Sequence, residues 1–335
     1  MTETVLVTGA TGFLGGHIIK QLLQQDFKVI GTVRDKDVGD KLVALIDNSN
    51  FRYELVELLT PSSFTDIFQK DKSITKVIHT AAPFDFSIQN FDKLVIEATI
   101  NGTQSLLSAI EKYGENVTHI INTSCLASHF SLEEYSNPSV NLNETSWCKY
   151  SEKEGRESPF KANHYSKLEA EKAFWQFIKN HSNVIGISIS PAFMFGPQPF
   201  DEYAKEARLN TSSDLINVVL NCGPHDSEKI PNLFGYATDV RDVAKLHIDG
   251  FKNSKLNDKR LAPFSGTFSL HQVLNLTKDK FPAVSQELPP KSMIDITLFN
   301  FDNSQTLQLL DFELTSVDQS LYDSIEQLLR VRKGI

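Results

Sequence analysis

The sequence predicts an α/β fold: a doubly wound parallel sheet with a smaller, mainly helical C-terminal lobe. Short runs of β-branched residues alternate with amphipathic patterns through the first half of the chain, which indicates right-handed βαβ units. A glycine-rich turn joins the first strand to the first helix. The 335 residues are 40% hydrophobic and 22% charged, so there is enough apolar sequence to bury a core.

The predicted elements follow one another over about the first 190 residues. Buried strands are predicted at 4–8, 27–33, 76–79, 119–122 and 184–189, and amphipathic helices at 17–25 and 167–179. After about residue 195, proline and glycine recur and no further sheet is predicted. We assign residues 1–190 and about 232–250 to the sheet domain. The smaller lobe takes about 191–231 and 251–335, and we expect it over the carboxyl edge of the sheet, where ligands bind in such folds.

Composition and charge exclude several classes of protein. A net charge of −9 argues against a protein that mainly binds nucleic acid or an anionic membrane through basic patches. No apolar run approaches the roughly 18 residues of a spanning helix, and the N-terminus has no signal-type region. The three cysteines are far apart and odd in number, which favours reduced thiols in the cytoplasm. The nine histidines form no His-x-x-x-His pair, so no metal site is expected.

The strongest motif is the run from Thr8 to Gly15, which reads Thr-Gly-Ala-Thr-Gly-Phe-Leu-Gly. It follows a predicted strand and opens a helix, the context in which such a motif has meaning. Gly9 permits the tight turn, Gly12 lets the backbone approach a pyrophosphate, and Gly15 allows close packing of the helix. The helix N-terminus offers N–H groups to the phosphates. The motif predicts dinucleotide binding, with contacts from Gly9, Thr11, Gly12, Phe13, Leu14 and Gly15.

The end of the second strand indicates which dinucleotide is bound. An NAD site usually has an acidic residue there for the ribose hydroxyls. This chain has Arg34, whose guanidinium suits a 2′-phosphate, and Lys36 could add a second positive charge. Asp35 between them would repel the phosphate unless it points away. The pattern favours NADP(H), and a solvated charge run after the strand is the alternative.

Several further segments resemble the extended short-chain dehydrogenases/reductases over nearly the whole chain. They are His-Thr-Ala-Ala-Pro-Phe at 79–84, Asn-Gly-Thr at 101–103, Phe-Gly-Pro-Gln at 195–198 and Asp-Val-Arg-Asp-Val-Ala at 239–244. Within that family they are similar to the yeast NADPH-dependent carbonyl (methylglyoxal) reductases and the plant dihydroflavonol reductases. The resemblance implies a Rossmann-type NADP-binding domain with a substrate-binding lobe. It also implies a cytosolic reductase of small aldehydes and ketones.

The resemblance places further residues beside the cofactor and the substrate. For the cofactor these are Leu58, Leu59, Ala81, Ala82, Pro83, Lys167, Ser190, Pro191 and Phe193. For an apolar substrate pocket they are Phe84, Phe86, Leu126 and Phe193. Two positions depart from the family pattern. Leu58 stands where the family has an aspartate near the adenine, and Ser190 precedes Pro191 where the family has asparagine.

The catalytic positions depart further. The family uses a serine, a tyrosine and a lysine four residues after the tyrosine. Here Lys167 aligns with the lysine, Asn163 with the tyrosine, and Cys125 with the serine, although a register shift of one residue would restore Ser124. Tyr165 lies about 200° around the helix from Lys167. An asparagine amide donates a hydrogen bond but is no acid near neutral pH, and a thiol is a weak donor.

Two functions therefore stay open. The first is an NADPH-dependent carbonyl reductase with an atypical active site, its proton supplied by Lys167 through a water, by Tyr165 after a helix shift, or by an acid on the smaller lobe. The alternative is an NADP(H)-binding pseudoenzyme that works as a regulator, sensor or partner subunit. A lyase or isomerase that reuses the pocket is a weaker third reading. The expected partner is a small carbonyl compound, and the chain is expected as a monomer or homodimer.

Overall fold

The structure is a computed structural model that describes residues 3–57, 60, 62–82 and 90–335. Its strands are β1 (Thr4–Thr8), β2 (Lys28–Val33), β3 (Phe51–Leu55), β4 (Ile74–His79), β5 (His119–Thr123), β6 (Asn141–Asn143), β7 (Ile185–Ile189), β8 (Phe193–Phe195), β9 (Phe234–Asp239), β10 (Arg260–Leu261), β11 (Gly266–Ser269) and β12 (Asn300–Asp302).

The α-helices lie between these strands and after them. They are α1 (Phe13–Leu23), α2 (Lys36–Ile46), α3 (Thr65–Lys70), α4 (Ala98–Tyr113), α5 (Glu152–Gly155), α6 (Pro159–Asn180), α7 (Asp201–Ala204), α8 (Thr211–Leu220), α9 (Val240–Asp249), α10 (Leu270–Lys280), α11 (Pro282–Ser285), α12 (Ser304–Leu309) and α13 (Val317–Lys333). A π-helical turn (Asp92–Glu97) leads directly into α4.

The large sheet has the strand order β3-β2-β1-β4-β5-β7-β10, and its neighbouring strands are parallel. Alternation along β1 divides its side chains between two layers. Val5 and Val7 pack in a core with α1 and α9. Leu6 packs on the other face in a core with α3, α4 and α6. The predicted doubly wound parallel sheet is confirmed.

The smaller lobe contains helices and a second sheet. Helices α8, α10 and α13 share an apolar core with strands β8, β9 and β11, which form a three-stranded sheet. Strand β8 is parallel to β9 and β11 is antiparallel to it. The prediction of no further sheet after residue 195 was therefore wrong. These strands have three to six residues each, too few to show a periodic pattern.

The predicted domain limits also need correction. Strand β10 pairs with β7 and completes the large sheet, so residues 260–261 belong to the sheet domain and not to the smaller lobe. The segment 232–250 is divided: β9 lies in the small sheet, while α9 packs on α1. Strand β3 was not predicted. It is an edge strand in which Phe51, Tyr53 and Leu55 alternate with Arg52 and Glu54, and it has none of the β-branched residues that indicated the central strands.

A buried histidine joins helix α9 to strand β5 of the large sheet. His247 on α9 has its Nε2 at 2.8 Å from Thr123 Oγ1 and its Nδ1 at 2.7 Å from the carbonyl of Val243. Burial lowers the pKa of His247 to about 4, against an ordinary value of 6.5. The folded protein therefore keeps this ring neutral at a pH where the unfolded chain protonates it.

This histidine predicts a loss of stability in acid. As pH falls from 6.5 towards 4, the unfolded chain takes up a proton at residue 247 that the folded protein does not, so the free energy of unfolding decreases. The slope contributed by one such group is about 1.4 kcal/mol per pH unit. We expect His247→Asn to flatten the slope by that amount in urea titrations at several pH values. The exposed His225→Asn is the matched control, and an equal flattening there would contradict the assignment.

Candidate active site

The phosphate-binding motif forms a tight turn between β1 and α1. Gly9 has a φ of 73°, and its carbonyl accepts a hydrogen bond from Gly12 N–H at 3.0 Å. A Cβ on Gly15 would lie 2.2 Å from the Gly9 carbonyl oxygen, so only glycine permits this approach. No side chain caps the N-terminus of α1, and its first turn contains no acidic residue. The exposed turn thus presents a helix N-terminus suited to an anion.

A chain of hydrogen bonds fixes the neighbouring strand end. Thr8 Oγ1 lies 2.8 Å from His79 Nδ1 and accepts hydrogen bonds from the N–H groups of Thr80 and Ala81, both at 3.1 Å. The hydroxyl of Thr103 donates to the carbonyl of Thr99, so His79 Nε2, at 3.1 Å, must donate to Thr103. Burial and the charge of Lys167 lower the pKa of His79 to about 3. The ring is a neutral strut.

Of the three charged residues after β2, Arg34 is exposed, while Asp35 and Lys36 interact with groups of helix α2. Asp35 caps α2, and its Oδ1 accepts a hydrogen bond from Val38 N–H at 3.1 Å. Its carboxylate is thus turned into the helix. Lys36 pairs with Asp40 at 2.5 Å. Arg34 is exposed at the end of β2. Of the two predicted phosphate-binding cations, Lys36 already has an acidic partner.

Helix α6 carries a polar stripe at four-residue spacing: Asn163, Lys167 and Glu171 share one face. The helix begins cleanly, because Ser158 caps it and Pro159 occupies its first turn. Asn163 is 6% exposed. Burial lowers the pKa of Lys167, while Cys125 and Glu171 oppose that effect. A lowered lysine pKa makes the ammonium a better proton donor near neutral pH.

Tyr165 lies away from this stripe. A Cβ on Gly155 would stand 2.5 Å from its Cβ and Cγ, so the ring packs against α5. Helix α6 is continuous from Pro159 to Asn180. The helix shift that would turn Tyr165 towards Lys167 is therefore absent from this structure.

Cys125 and Ser124 lie in different surroundings at the end of β5. Ser124 is buried, and its hydroxyl donates to Glu171 at 2.6 Å. Cys125 is half-exposed, and its Sγ accepts a hydrogen bond from Ala127 N–H at 3.5 Å. Burial raises the pKa of the Cys125 thiol, although the charge of Lys167 lowers it in part. Ser124 and Cys125 are the two candidates for the family's serine position, and they interact with different groups. Ser124 donates to Glu171, whereas Cys125 interacts with the charge of Lys167.

The other predicted residues lie at the carboxyl edge or in the core. Ala81 and Ala82 share a small cavity of about 10 Å³ with Lys167, which is the size that holds one water. Leu126 N–H donates to the carbonyl of Pro191 at 3.0 Å, but the Leu126 side chain is buried in an aromatic cluster. These contacts are those of a core residue, and its place in a substrate pocket stays a prediction.

Two further predicted residues, Ser190 and Phe193, lie in the described part of the chain. Ser190 is fully buried, and its N–H donates to the carbonyl of Leu261 at 2.7 Å. Phe193 is half-buried against Phe268, with ring centroids 5.0 Å apart. The predicted residues Leu58, Leu59, Pro83, Phe84 and Phe86 lie outside the described residues.

Two charged residues were not predicted from the sequence: Glu171, at the end of the stripe, and its partner Arg260. Glu171 is buried and pairs with Arg260, Nε to Oε1 at 2.8 Å. Its spacing of four from Lys167 was a usable signal. Nothing in the sequence marks Arg260, which comes 89 residues later.

A larger groove of about 670 Å³ lies elsewhere, between α1 and the segment 197–202. Its polar groups are occupied within the protein: His17 Nε2 lies 2.8 Å from the Pro197 carbonyl, and Lys20 donates to the Pro199 carbonyl. Within the described ranges, no group of three or more metal-ligating side chains is found. None of the helices in those ranges is long and apolar enough to cross a membrane.

Comparison with known proteins agrees with this geometry. The model of the NAD dependent epimerase/dehydratase family matches residues 5–244. The NADPH-dependent methylglyoxal reductase of Saccharomyces cerevisiae is 32% identical over 342 residues, 98% of each chain. The solved structure of yeast methylglyoxal/isovaleraldehyde reductase complexed with NADPH has a TM-score of 0.94, with 32% identity over 99% of this chain and 100% of that one.

A second solved structure, Gre2 of Candida albicans in complex with NADPH, has a TM-score of 0.92 and 35% identity over 98% of this chain and 99% of that one. Tetraketide alpha-pyrone reductase 1 of Arabidopsis thaliana is 26% identical over 97% of this chain and 95% of its own length. The predicted relationship to the extended short-chain dehydrogenases/reductases is confirmed: the chain belongs to the NAD dependent epimerase/dehydratase family.

Proposed function

We propose that this protein is an NADPH-dependent reductase of small aldehydes and ketones whose proton-donating site is atypical. One observation carries the proposal: the uncapped N-terminus of α1 follows the carboxyl end of β1, and Lys167 shares a cavity with residues at the carboxyl ends of β4 and β5. That edge is where parallel sheets of this kind bind nucleotides. The yeast relatives are named as an NADPH-dependent methylglyoxal reductase and a methylglyoxal/isovaleraldehyde reductase, and these names support the same activity.

The residues present fit a bound NADPH. The Gly9–Gly15 contact leaves the helix N-terminus open for a pyrophosphate, with Thr11, Gly12, Phe13 and Leu14 around it. Arg34 would bind the 2′-phosphate, and because Asp35 caps α2, its carboxylate is drawn away from that phosphate. Lys167 would hold the nicotinamide ribose, with Ala81, Ala82, Ser190, Pro191 and Phe193 lining the rest. When bound, NADPH supplies the hydride.

The protein's own residues then have separate tasks. The Asn163 amide and the Cys125 thiol can each donate a hydrogen bond to a carbonyl oxygen, but neither is an acid at neutral pH. Lys167 is the group able to give up a proton there, because burial lowers its pKa. The adjoining cavity of about 10 Å³ has room for one water between Lys167 and a reacting oxygen. We therefore assign proton delivery to Lys167.

A second candidate function is an NADP(H)-binding protein without reductase activity, acting as a regulator, sensor or partner subunit. It is favoured by the absence of a tyrosine from the α6 stripe and by the position of Tyr165 against α5. Loss of a general acid typically lowers a rate by about 10²–10⁴. Positioning of a carbonyl beside the cofactor would retain part of the acceleration.

The three cysteines, Cys125, Cys148 and Cys222, are all free. Free thiols are the rule in reducing compartments, which supports placing this reductase in the cytoplasm. A two-part organisation, with an NADP-binding sheet domain and a substrate-binding smaller lobe, is part of the same proposal.

Arg34 should decide the preference for NADPH. A charge-assisted hydrogen bond contributes about 1.5–3 kcal/mol, so Arg34→Ala should weaken NADPH binding about 10-fold to 100-fold. NADH lacks the 2′-phosphate and should bind as before. The fluorescence of the bound nicotinamide measures both affinities. Lys36→Ala is the matched control, with a smaller loss because Lys36 pairs with Asp40. Unchanged NADPH affinity in Arg34→Ala would refute the assignment.

Restoring a phenol to the stripe should raise turnover. We expect Asn163→Tyr to reduce aldehydes and α-keto esters about 10²–10⁴ times faster than the natural protein, because a tyrosine at this position would have Lys167 one helical turn away. NADPH consumption measures the rate. Tyr165→Phe is the control and should change nothing, since that ring packs on Gly155.

Activity and binding measurements on the natural protein distinguish the two proposed functions. Measurable reduction that falls in Lys167→Ala supports the reductase with lysine as proton donor. NADPH binding without turnover, rescued by Asn163→Tyr, supports the cofactor-binding protein. Failure to bind NADPH would contradict both.

A further inference from the structure

A buried carboxylate lies directly behind the proposed site. Glu171 follows Lys167 by one turn of α6, and its side chain has no exposed surface. Three serine hydroxyls donate to its oxygens: Ser124 at 2.6 Å, Ser128 at 2.7 Å and Ser188 at 2.7 Å. Trp175 Nε1 adds a longer contact at 3.4 Å. The donors come from β5, the turn after it, β7 and α6, so the carboxylate joins the elements that carry Cys125 and Lys167.

Arg260 completes the charge pair from β10. Its Nε donates to Glu171 Oε1 at 2.8 Å and its Nη2 to Oε2 at 3.1 Å. Its Nη1 donates to the carbonyls of Glu144, at 2.9 Å, and Ser146. The guanidinium carbon lies 3.7 Å from the ring centroid of Trp147. The edges of the guanidinium donate hydrogen bonds and one of its faces packs on Trp147, so the arginine is held on Glu171.

We propose that Glu171 is a positioning residue for Lys167: fixed by Arg260 and the serines, it supplies the negative charge that holds the lysine in its charged form at the active site. The role rests on the proposed function of Lys167. It goes beyond the cofactor-binding and hydrogen-bonding residues already described, because Glu171 acts on the reaction only through Lys167.

The charges around Lys167 support this assignment. The titratable groups that interact with it are Glu171 on its own helix, Cys125 after β5 and His79 on β4. Burial raises the pKa of Cys125, so it is a neutral thiol at pH 7, and His79 is a neutral ring with a pKa of about 3. Burial would raise the pKa of Glu171, but Arg260 and its hydrogen bonds, with His129 and Ser124, bring it down to about 2. Among these three groups Glu171 is therefore the negatively charged one at neutral pH, and Arg260 is its counter-cation.

A purely structural carboxylate would behave differently. It would stabilise the fold through its hydrogen bonds and leave the titration of Lys167 untouched. A measurement of that titration separates the two roles, whereas stability or activity alone would not.

The experiment is an NMR titration of the protein labelled with ¹³Cε-lysine, with the Lys167 signal identified by its loss in Lys167→Met. In Glu171→Gln we expect the midpoint of Lys167 to fall by roughly one pH unit, because an opposite charge one helical turn away is lost. Glu171→Gln leaves Arg260 unpaired and can fail to fold. The double variant Glu171→Gln/Arg260→Met removes both charges, and it should show a smaller fall in the same direction, because the positive charge of Arg260 is lost together with the carboxylate.

Ser188→Ala is the matched control. It removes one hydrogen bond to Glu171 and keeps the charge, so the protein should lose stability while the Lys167 midpoint stays in place. An unchanged midpoint in both Glu171 variants would overturn the proposal, and so would an equal fall in Ser188→Ala. The titration uses neither cofactor nor substrate. Failure of NADPH binding would therefore contradict the proposed function without touching this result.

Discussion

A carboxylate with no exposed surface must be paired, and the pairing of Glu171 organises the carboxyl side of the sheet. Removing one partner of such a pair typically costs about 3–5 kcal/mol, because the remaining charge stays buried. The pair joins α6 to β5, β7 and β10. The elements that carry Cys125 and Lys167 are therefore held together by this interior network.

The opposite end of the site depends on a steric constraint. Helix α1 can start where it does only because neither Gly9 nor Gly15 carries a side chain, and the carbonyl of one lies where the Cβ of the other would be. The neutral His79 strut then joins β1, β4 and α4 beside this turn. The uncapped end of α1 and the lysine-bearing helix α6 are thus each fixed by a different kind of interaction.

The sequence predicts those parts of the molecule whose causes are local. Strand β1 is a buried Val-Leu-Val run between two threonines, and the glycine turn follows from the geometry of three residues. Edge strand β3 was missed because it alternates apolar with charged residues and has no β-branched run, and β10 is only two residues long. At the site, the stripe of Asn163 and Lys167 follows from helical spacing. Arg260 could not be predicted, because its partner is brought to it by the fold and not by the sequence around it.

Strand β10 also has a consequence for the order in which the protein is made. The large sheet takes its last strand from residues 260–261, which follow the first elements of the smaller lobe, β8, α7, α8 and β9. During synthesis Glu171 leaves the ribosome 89 residues before Arg260, so its counter-cation is missing while the first strands pair. Completion of the sheet is a long-range, late event of the kind that slows folding and exposes apolar surface. A fragment that stops at residue 190 would carry the nucleotide-binding turn but leave a buried acid without its partner.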